Sequence, residues 1–221
     1  MDSAVQRKNM VDSQVRPSDV TDRRIARAML AVPRETFVPQ DRKAVAYMDD
    51  DLSLGGEAPL QGRALLAPRT LSKLLQGLAI PDDAVVLDIG GATGYSAAVL
   101  AQFCRKVVAL ESSDGMASVA RDNLAALGLS NVEVVNGKLT SGYSDACPFD
   151  AILVGGRVSD ILPGLLDQLK DGGRLAAIID EDGVGKAYLW QRYGMSWDRR
   201  WLFDAEGPML PGCAKKVEFE F

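Results

Sequence analysis

One short run, Val85-Val86-Leu87-Asp88-Ile89-Gly90-Gly91-Ala92-Thr93-Gly94-Tyr95, constrains the fold of this 221-residue chain more than any other part of it. Residues 84–89 are rich in β-branched and apolar side chains on both faces, which suits a central parallel strand covered by helices on each side. Gly90, Gly91 and Gly94 follow at once, and glycine lets a backbone bend tightly and lie against a ligand with no Cβ in the way. From Tyr95 onward (Ser96-Ala97-Ala98-Val99-Leu100-Ala101-Gln102-Phe103) the sequence turns helical, aiming the free N–H groups of the first turn at the glycine bend. A second buried strand, Lys106 to Glu111, then ends in an acid. In open α/β sheets the ligand crevice lies beyond the carboxyl ends of the strands, where strand order reverses, so residues 90–94 and Glu111 should face one cavity. A carboxylate there can accept both hydroxyls of a ribose, and the stretch reads as a nucleoside site.

Spacing decides which nucleoside. A dinucleotide fingerprint needs glycines at positions 90, 92 and 95, but the last two are Ala92 and Tyr95, which places a dehydrogenase last. Asp88 inside the first strand, glycines just after it and an acid ending the second strand form the pattern of S-adenosylmethionine-dependent methyltransferases. The cofactor contacts expected on that pattern are Asp88, Gly90, Gly91, Ala92, Gly94, Glu111 and Ser112, with S-adenosylhomocysteine as the product. The competing reading is a glycine turn kept only for close packing of helix on strand.

Composition narrows the chemistry. The chain contains no histidine, which removes the usual imidazole base and the commonest metal ligand, and no metal is expected. A net charge of −5 and a pI near 4.9, without a basic stripe, disfavour a nucleic-acid partner. No long apolar run and no apolar signal core in Met1-Asp2-Ser3-Ala4-Val5-Gln6-Arg7-Lys8 point to a cytoplasmic protein away from membranes. Cys104, Cys147 and Cys213 have no metal spacing, and an odd number argues against a disulfide framework.

Along the chain, Val5–Val15 is a weakly amphipathic helical stretch stopped by Arg16-Pro17. A second helix, Asp22–Ala31, is capped by Thr21 and turns Ile25, Met29 and Leu30 inward. Gly55–Gly62 reads as a mobile loop before a helix over Pro68–Leu78, with Leu71, Leu74 and Leu75 facing the core. Asp114–Leu127 gives a helix, Val132–Val135 and Asp150–Val154 strands, Ile161–Leu169 a helix, and Gly172-Gly173 a stop before a strand at Arg174–Ile179. The tail, at Ala187–Tyr193, Trp197–Phe203 and Lys215–Phe221, alternates apolar and polar residues and should add antiparallel strands at one edge, with Trp190, Trp197 and Trp201 as core or edge packing. This order predicts a doubly wound, mostly parallel sheet with helices on both faces. A helical extension with a covering loop would span residues 1–80, and one globular cofactor-binding unit residues 81–221.

Ala28-Met29-Leu30-Ala31-Val32-Pro33-Arg34-Glu35-Thr36-Phe37-Val38-Pro39, with Ala46-Tyr47 after it, resembles the N-terminal signature of the protein-L-isoaspartate O-methyltransferase family. The glycine turn, Asn131-Val132-Glu133-Val134, Ala146-Cys147-Pro148-Phe149-Asp150-Ala151-Ile152-Leu153-Val154 and Gln168-Leu169-Lys170-Asp171-Gly172-Gly173-Arg174-Leu175 follow in the family's order. The resemblance runs from about Val11 to Ile179 and implies S-adenosylmethionine as methyl donor and an isoaspartyl or D-aspartyl carboxylate in damaged protein as acceptor. It also implies cofactor contacts at Leu65, Lys138 and Leu139. Two departures stand out. Where the family carries Gly-x-Gly-Gln-Thr-Ile-Ser-Gln-Pro, this chain has Arg63-Ala64-Leu65-Leu66-Ala67 before Pro68, without the Thr and Ser hydroxyls. Asn136-Gly137-Lys138 replaces Gly-Asp-Gly, and a lysine cannot accept a hydrogen bond from an adenine amino group.

Methyl transfer to a carboxylate needs no general base, because the acceptor is ionised at neutral pH. It does need donors or a cation to hold the acceptor. Arg63, Lys138 and Arg157 fall near the carboxyl ends of strands, and Arg63 or Arg157 is the expected grip, with Leu66 beside it. Two other readings stay open: a methyltransferase of this fold with a different acceptor, and a nucleoside-binding interaction module that no longer transfers methyl.

Overall fold

The computed structural model describes residues 2–161 and 163–215. Its N-terminus is helical because short polar side chains cap each start. Asp2 accepts the Ala4 N–H to open α1 (Ser3–Met10), which widens into a π turn over Val11–Val15 and ends in a tight turn at Arg16–Ser18. The second helix, α2 (Arg23–Ala31), is capped by Asp22, not Thr21. Gln76 Oε1 accepts the Thr21 N–H at 2.7 Å and the Asp22 N–H at 3.0 Å, and Asp22 Oδ1 takes the Arg24 N–H at 2.8 Å.

Two short strands, β1 (Leu52–Ser53) and β2 (Ala64–Leu65), pair antiparallel and enclose residues 54–63 as a hairpin loop. Pro68 opens α3 (Pro68–Leu78), where its missing N–H costs nothing, and Leu71, Leu74 and Leu75 are buried.

The sheet is built from β3 (Val85–Ile89), β4 (Lys106–Glu111), β5 (Val132–Asn136), β6 (Phe149–Val158), β7 (Leu169–Glu181), β8 (Val184–Tyr193) and β9 (Ser196–Asp204). Helices α4 (Tyr95–Ala101), α5 (Asp114–Ala126) and α6 (Pro163–Leu166) connect its strands. Strand order is β5-β4-β3-β6-β7-β8-β9, with parallel pairing from β5 to β7 and antiparallel pairing for the last two. This is the doubly wound, mostly parallel sheet expected, with its antiparallel edge. Order reverses between β3 and β6, so ligand chemistry belongs beyond Ile89 and Val154.

Several local expectations are corrected. The helix expected over 161–169 shrinks to α6, because the Phe149 N–H takes the Gln168 carbonyl and Leu169 already pairs with Phe149 in the sheet. Gly172-Gly173 is not a stop before the strand but a bulge inside β7, where pairing jumps from Phe149↔Leu169 to Ala151↔Arg174 and Gly172 takes φ +76°. Trp190 is buried, whereas Trp197 and Trp201 are 38% and 56% exposed on the edge strand β9. The strand expected at Lys215–Phe221 falls, beyond Lys215, outside the described residues. Met29, Leu74, Val86, Leu100 and Leu189 belong to one buried cluster.

Candidate functional site

The chain leaves β3 through Gly90 at φ +71°, a conformation that costs most residues and costs glycine nothing. At Gly91 the reason is space: a Cβ would lie 2.4 Å from Ser96 Oγ and 2.6 Å from Asp88 Oδ2. Those two atoms are already joined, with Ser96 Oγ donating to Asp88 Oδ2 at 2.6 Å, so neither can move cheaply. Gly91→Ala is therefore expected to cost about 1–3 kcal/mol in a urea melt and to distort the turn; an unchanged midpoint would mean the pair yields freely. Asp88 is 1% exposed, its Oδ1 has no partner, and burial pushes its carboxyl up to about 7.

Glu111 ends β4 and reaches back across the bend. Its Oε1 accepts the Ala92 N–H at 2.6 Å and its Oε2 the Ser112 N–H at 3.3 Å, so the acid predicted from sequence stands at the turn. The same two oxygens carry a third and a fourth hydrogen bond. Arg63 Nη2 donates to Oε1 and Nη1 to Oε2, both at 2.9 Å, and Nη2 also donates to the Gly90 carbonyl at 2.9 Å. The pair is nearly sealed, with Arg63 at 4% and Glu111 at 2% exposure. Burial pushes the Glu111 carboxyl up against the pull of Arg63 and the two backbone donors.

Arg63 is thus held at the tip of β4, away from an open rim. Arg157 is not part of this cluster: its Nη1 lies 3.7 Å from Glu206 and 3.9 Å from Asp180 and donates to the Gly183 carbonyl, toward the β7–β8 turn. Leu65 and Leu66 join Gly91, Tyr95, Ser96 and Gly155 around a narrow cavity. Lys138 is exposed, while Leu139 beside it is buried and lines an apolar slot with Ile89, Val154, Ile161 and Leu210.

Three contributors escaped sequence reasoning. Val154-Gly155-Gly156-Arg157 forms a bulge at the end of β6, where the register with β7 jumps between Leu153 and Arg157. A Cβ on Gly155 would stand 3.1 Å from the Gly90 carbonyl, and one on Gly156 2.7 Å from Leu210. The paired glycines after an apolar strand were a readable signal. Leu210 was not: it comes from the tail, tied by Arg157 N–H to the Pro208 carbonyl (2.8 Å) and Leu210 N–H to the Arg157 carbonyl (2.9 Å), and it covers Gly90. Arg34, fully buried, ties the lead-in to the site by donating to the Leu66 carbonyl at 3.0 Å and the Ala46 carbonyl at 2.8 Å, with its guanidinium 4.7 Å from the Tyr95 ring. Through Arg34 the Val32-Pro33-Arg34 stretch is tied to Leu66.

Donor and acceptor types at the bend suit a nucleoside. Bare backbone at Gly90 and Gly91, a carboxylate for a diol and an apolar slot for a flat base all converge there. Arg63 shares the carboxylate and Leu210 lies on the first glycine. A larger cavity, about 510 Å³, is elsewhere, lined by Asp49–Asp51, Arg69, Lys73 and the β8–β9 end.

A family model described as protein-L-isoaspartate(D-aspartate) O-methyltransferase matches residues 5–195. The protein-L-isoaspartate O-methyltransferase of Herpetosiphon aurantiacus is 38% identical over 194 residues, covering 88% of this chain and 84% of that one. The protein of the same name from Koribacter versatilis is 33% identical over 209 residues, covering 95% and 92%. Among solved structures, a protein-L-isoaspartate O-methyltransferase superposes with a TM-score of 0.84 at 25% identity; the alignment covers 93% of this chain and 66% of that one. A Plasmodium falciparum structure described as a complex with S-adenosyl-L-homocysteine superposes with a TM-score of 0.77 at 19% identity, a likeness of fold, over 92% of this chain and 97% of that one.

Proposed function

This chain belongs to the protein-L-isoaspartate(D-aspartate) O-methyltransferase family, and from that premise we propose that it esterifies the free α-carboxylate of isoaspartyl residues in protein, the first step of repairing them. The enzyme is S-adenosylmethionine-dependent, and when bound this cofactor supplies the methyl group on a sulfonium. The observation that carries the reading is Glu111, fixed by the Ala92 N–H beside bare glycine backbone at the point where strand order reverses.

Gly90, Gly91 and Glu111 would hold the ribose end of the cofactor, with Leu139 and Ile89 against the base. No residue needs to remove a proton, because the acceptor carboxylate is ionised at neutral pH, and a chain without histidine is suited to that task. What the chain must supply is alignment and exclusion of water, which together can lower the barrier by about 7–11 kcal/mol. Leu65, Leu66 and Leu210 are the apolar walls available for this. Arg63 can serve as the cation for the acceptor only once released from Glu111, with which it pairs at 2.9 Å, while Arg157 stands beside Asp180 and Glu206 near the β7–β8 turn. A cytoplasmic location belongs to this reading and is supported by three cysteines with no disulfide between them.

The test is transfer of labelled methyl from S-adenosylmethionine to matched peptides. A base-labile ester on the isoaspartyl peptide and none on the aspartyl peptide is expected. Labelling of neither, by protein that binds the cofactor, would overturn the acceptor assignment.

A further inference from the structure

We propose that Arg63 is a built-in competitor for the cofactor's ribose: the β1–β2 hairpin latches the site by pairing its arginine with Glu111, and the cofactor binds by displacing that guanidinium. The inference rests on the reading above for the identity of the ligand and on the following geometry for the rest.

A carboxylate offers about four acceptor positions. All four of Glu111 are in use, two by the Ala92 and Ser112 N–H groups and two by the parallel N–H groups of Arg63. A ribose presents two adjacent hydroxyl donors to a carboxylate at this position, the same two-pronged pattern that the guanidinium presents. The two cannot share the oxygens.

The latch is part of the β1–β2 hairpin. Leu54 N–H donates to the Arg63 carbonyl at 2.9 Å and Arg63 N–H to the Leu60 carbonyl at 3.0 Å, so Arg63 closes the base of the loop. Pro59 packs over the start of α5, where a Cβ on Gly115 would stand 3.0 Å from it. The loop therefore lies over the tip of β4, held by the Arg63–Glu111 pair, the Arg63 hydrogen bond to the Gly90 carbonyl, the packing of Leu60 against the core and the Pro59 contact. Its residues 56–59 and 61–62 are exposed, and it is flanked by Gly55 at φ +123° and Gly62 at φ +70°, so backbone rotation is cheap at both ends.

Displacement has a consequence for the order of events. A guanidinium evicted from Glu111 needs an anion or water, and the acceptor carboxylate is the anion the reaction brings. Arg63 is thus a positioning residue with two partners in succession: Glu111 before the cofactor arrives, the acceptor afterwards. The cofactor binds first.

The experiment is titration calorimetry of S-adenosylhomocysteine into the full chain and into its Arg63→Ala and Arg63→Lys variants, with hydrogen exchange on the unaltered protein. Removing the competitor is expected to tighten binding about tenfold or more in Arg63→Ala, since a ligand's apparent affinity is reduced by the fraction of protein held closed. Arg63→Lys, which keeps the charge but not the fork, should fall between. In the unaltered chain, saturating S-adenosylhomocysteine should speed exchange at residues 54–63. Equal or weaker binding by Arg63→Ala, new protection of the loop, or no binding by any form at millimolar ligand would overturn the latch. Should Arg63→Ala fold poorly, loop exchange in the unaltered chain decides alone. Tighter binding with no isoaspartyl labelling removes the acceptor assignment and leaves the latch standing; isoaspartyl labelling without tightening does the reverse.

Discussion

Glu111→Gln is expected to lower stability by roughly 3–5 kcal/mol, because it leaves the Arg63 guanidinium buried without its counter-charge. The amide can still accept at one position, but its NH2 group points donors at the Arg63 fork or at the Ala92 N–H. Cofactor affinity should fall with stability, since the same oxygens serve both. Urea melts of Glu111→Gln check the loss, and those of Glu111→Leu, Arg63→Leu and the double variant Arg63→Leu/Glu111→Leu check the pairing. The double variant should be less damaged than the sum of the single ones, because an apolar pair leaves no orphaned charge. Additive losses would show that the two residues act independently and would contradict the pairing.

The second large effect is on pH dependence and belongs to Asp88. Burial, which outweighs the Ser96 hydrogen bond and is reinforced by the Glu111 charge, pushes its carboxyl up to about 7 from an ordinary value of 3.8. In the window between those values the folded chain keeps a proton that the unfolded chain has released. Stability therefore falls as pH rises from about 4 to about 7 and levels off above, by about 4 kcal/mol at 1.36 kcal/mol per pH unit. Asp88→Asn carries no charge at any pH and keeps an acceptor for Ser96 Oγ. It should match the parent chain near pH 4.5 and exceed it at pH 8, where the parent must hold a buried carboxylate beside Glu111. Denaturation midpoints of the two chains that run parallel from pH 4.5 to 8 would show that Asp88 titrates normally.

Local chemistry made much of the fold legible. The Val85–Ile89 run is apolar on both faces, and only a strand covered on both sides satisfies that. Pro68, the leucine spacing of α3 and the acid ending Lys106–Glu111 are likewise statements about neighbours in sequence. Errors cluster where a distant group outbid a near one. Gln76, far along the chain, holds the N–H groups of both Thr21 and Asp22 and so sets where α2 begins, and residues 168–169 left a helix because β6 offers them a sheet partner.

Glu111 shows the same division within the site. By itself the sequence determined that an acid ends the second strand beside a glycine bend, because strand length and glycine freedom are local properties. Only the tertiary structure decided what that acid holds. Arg63, 48 positions away, reaches it through the closure of a hairpin, and Leu210 reaches Gly90 through a tail paired along Arg157. Ion pairs and apolar contacts between segments so far apart depend on how whole elements pack. No periodicity or spacing in the chain encodes them, so the acid at the glycine bend could be read in advance, but the arginine that meets it could not.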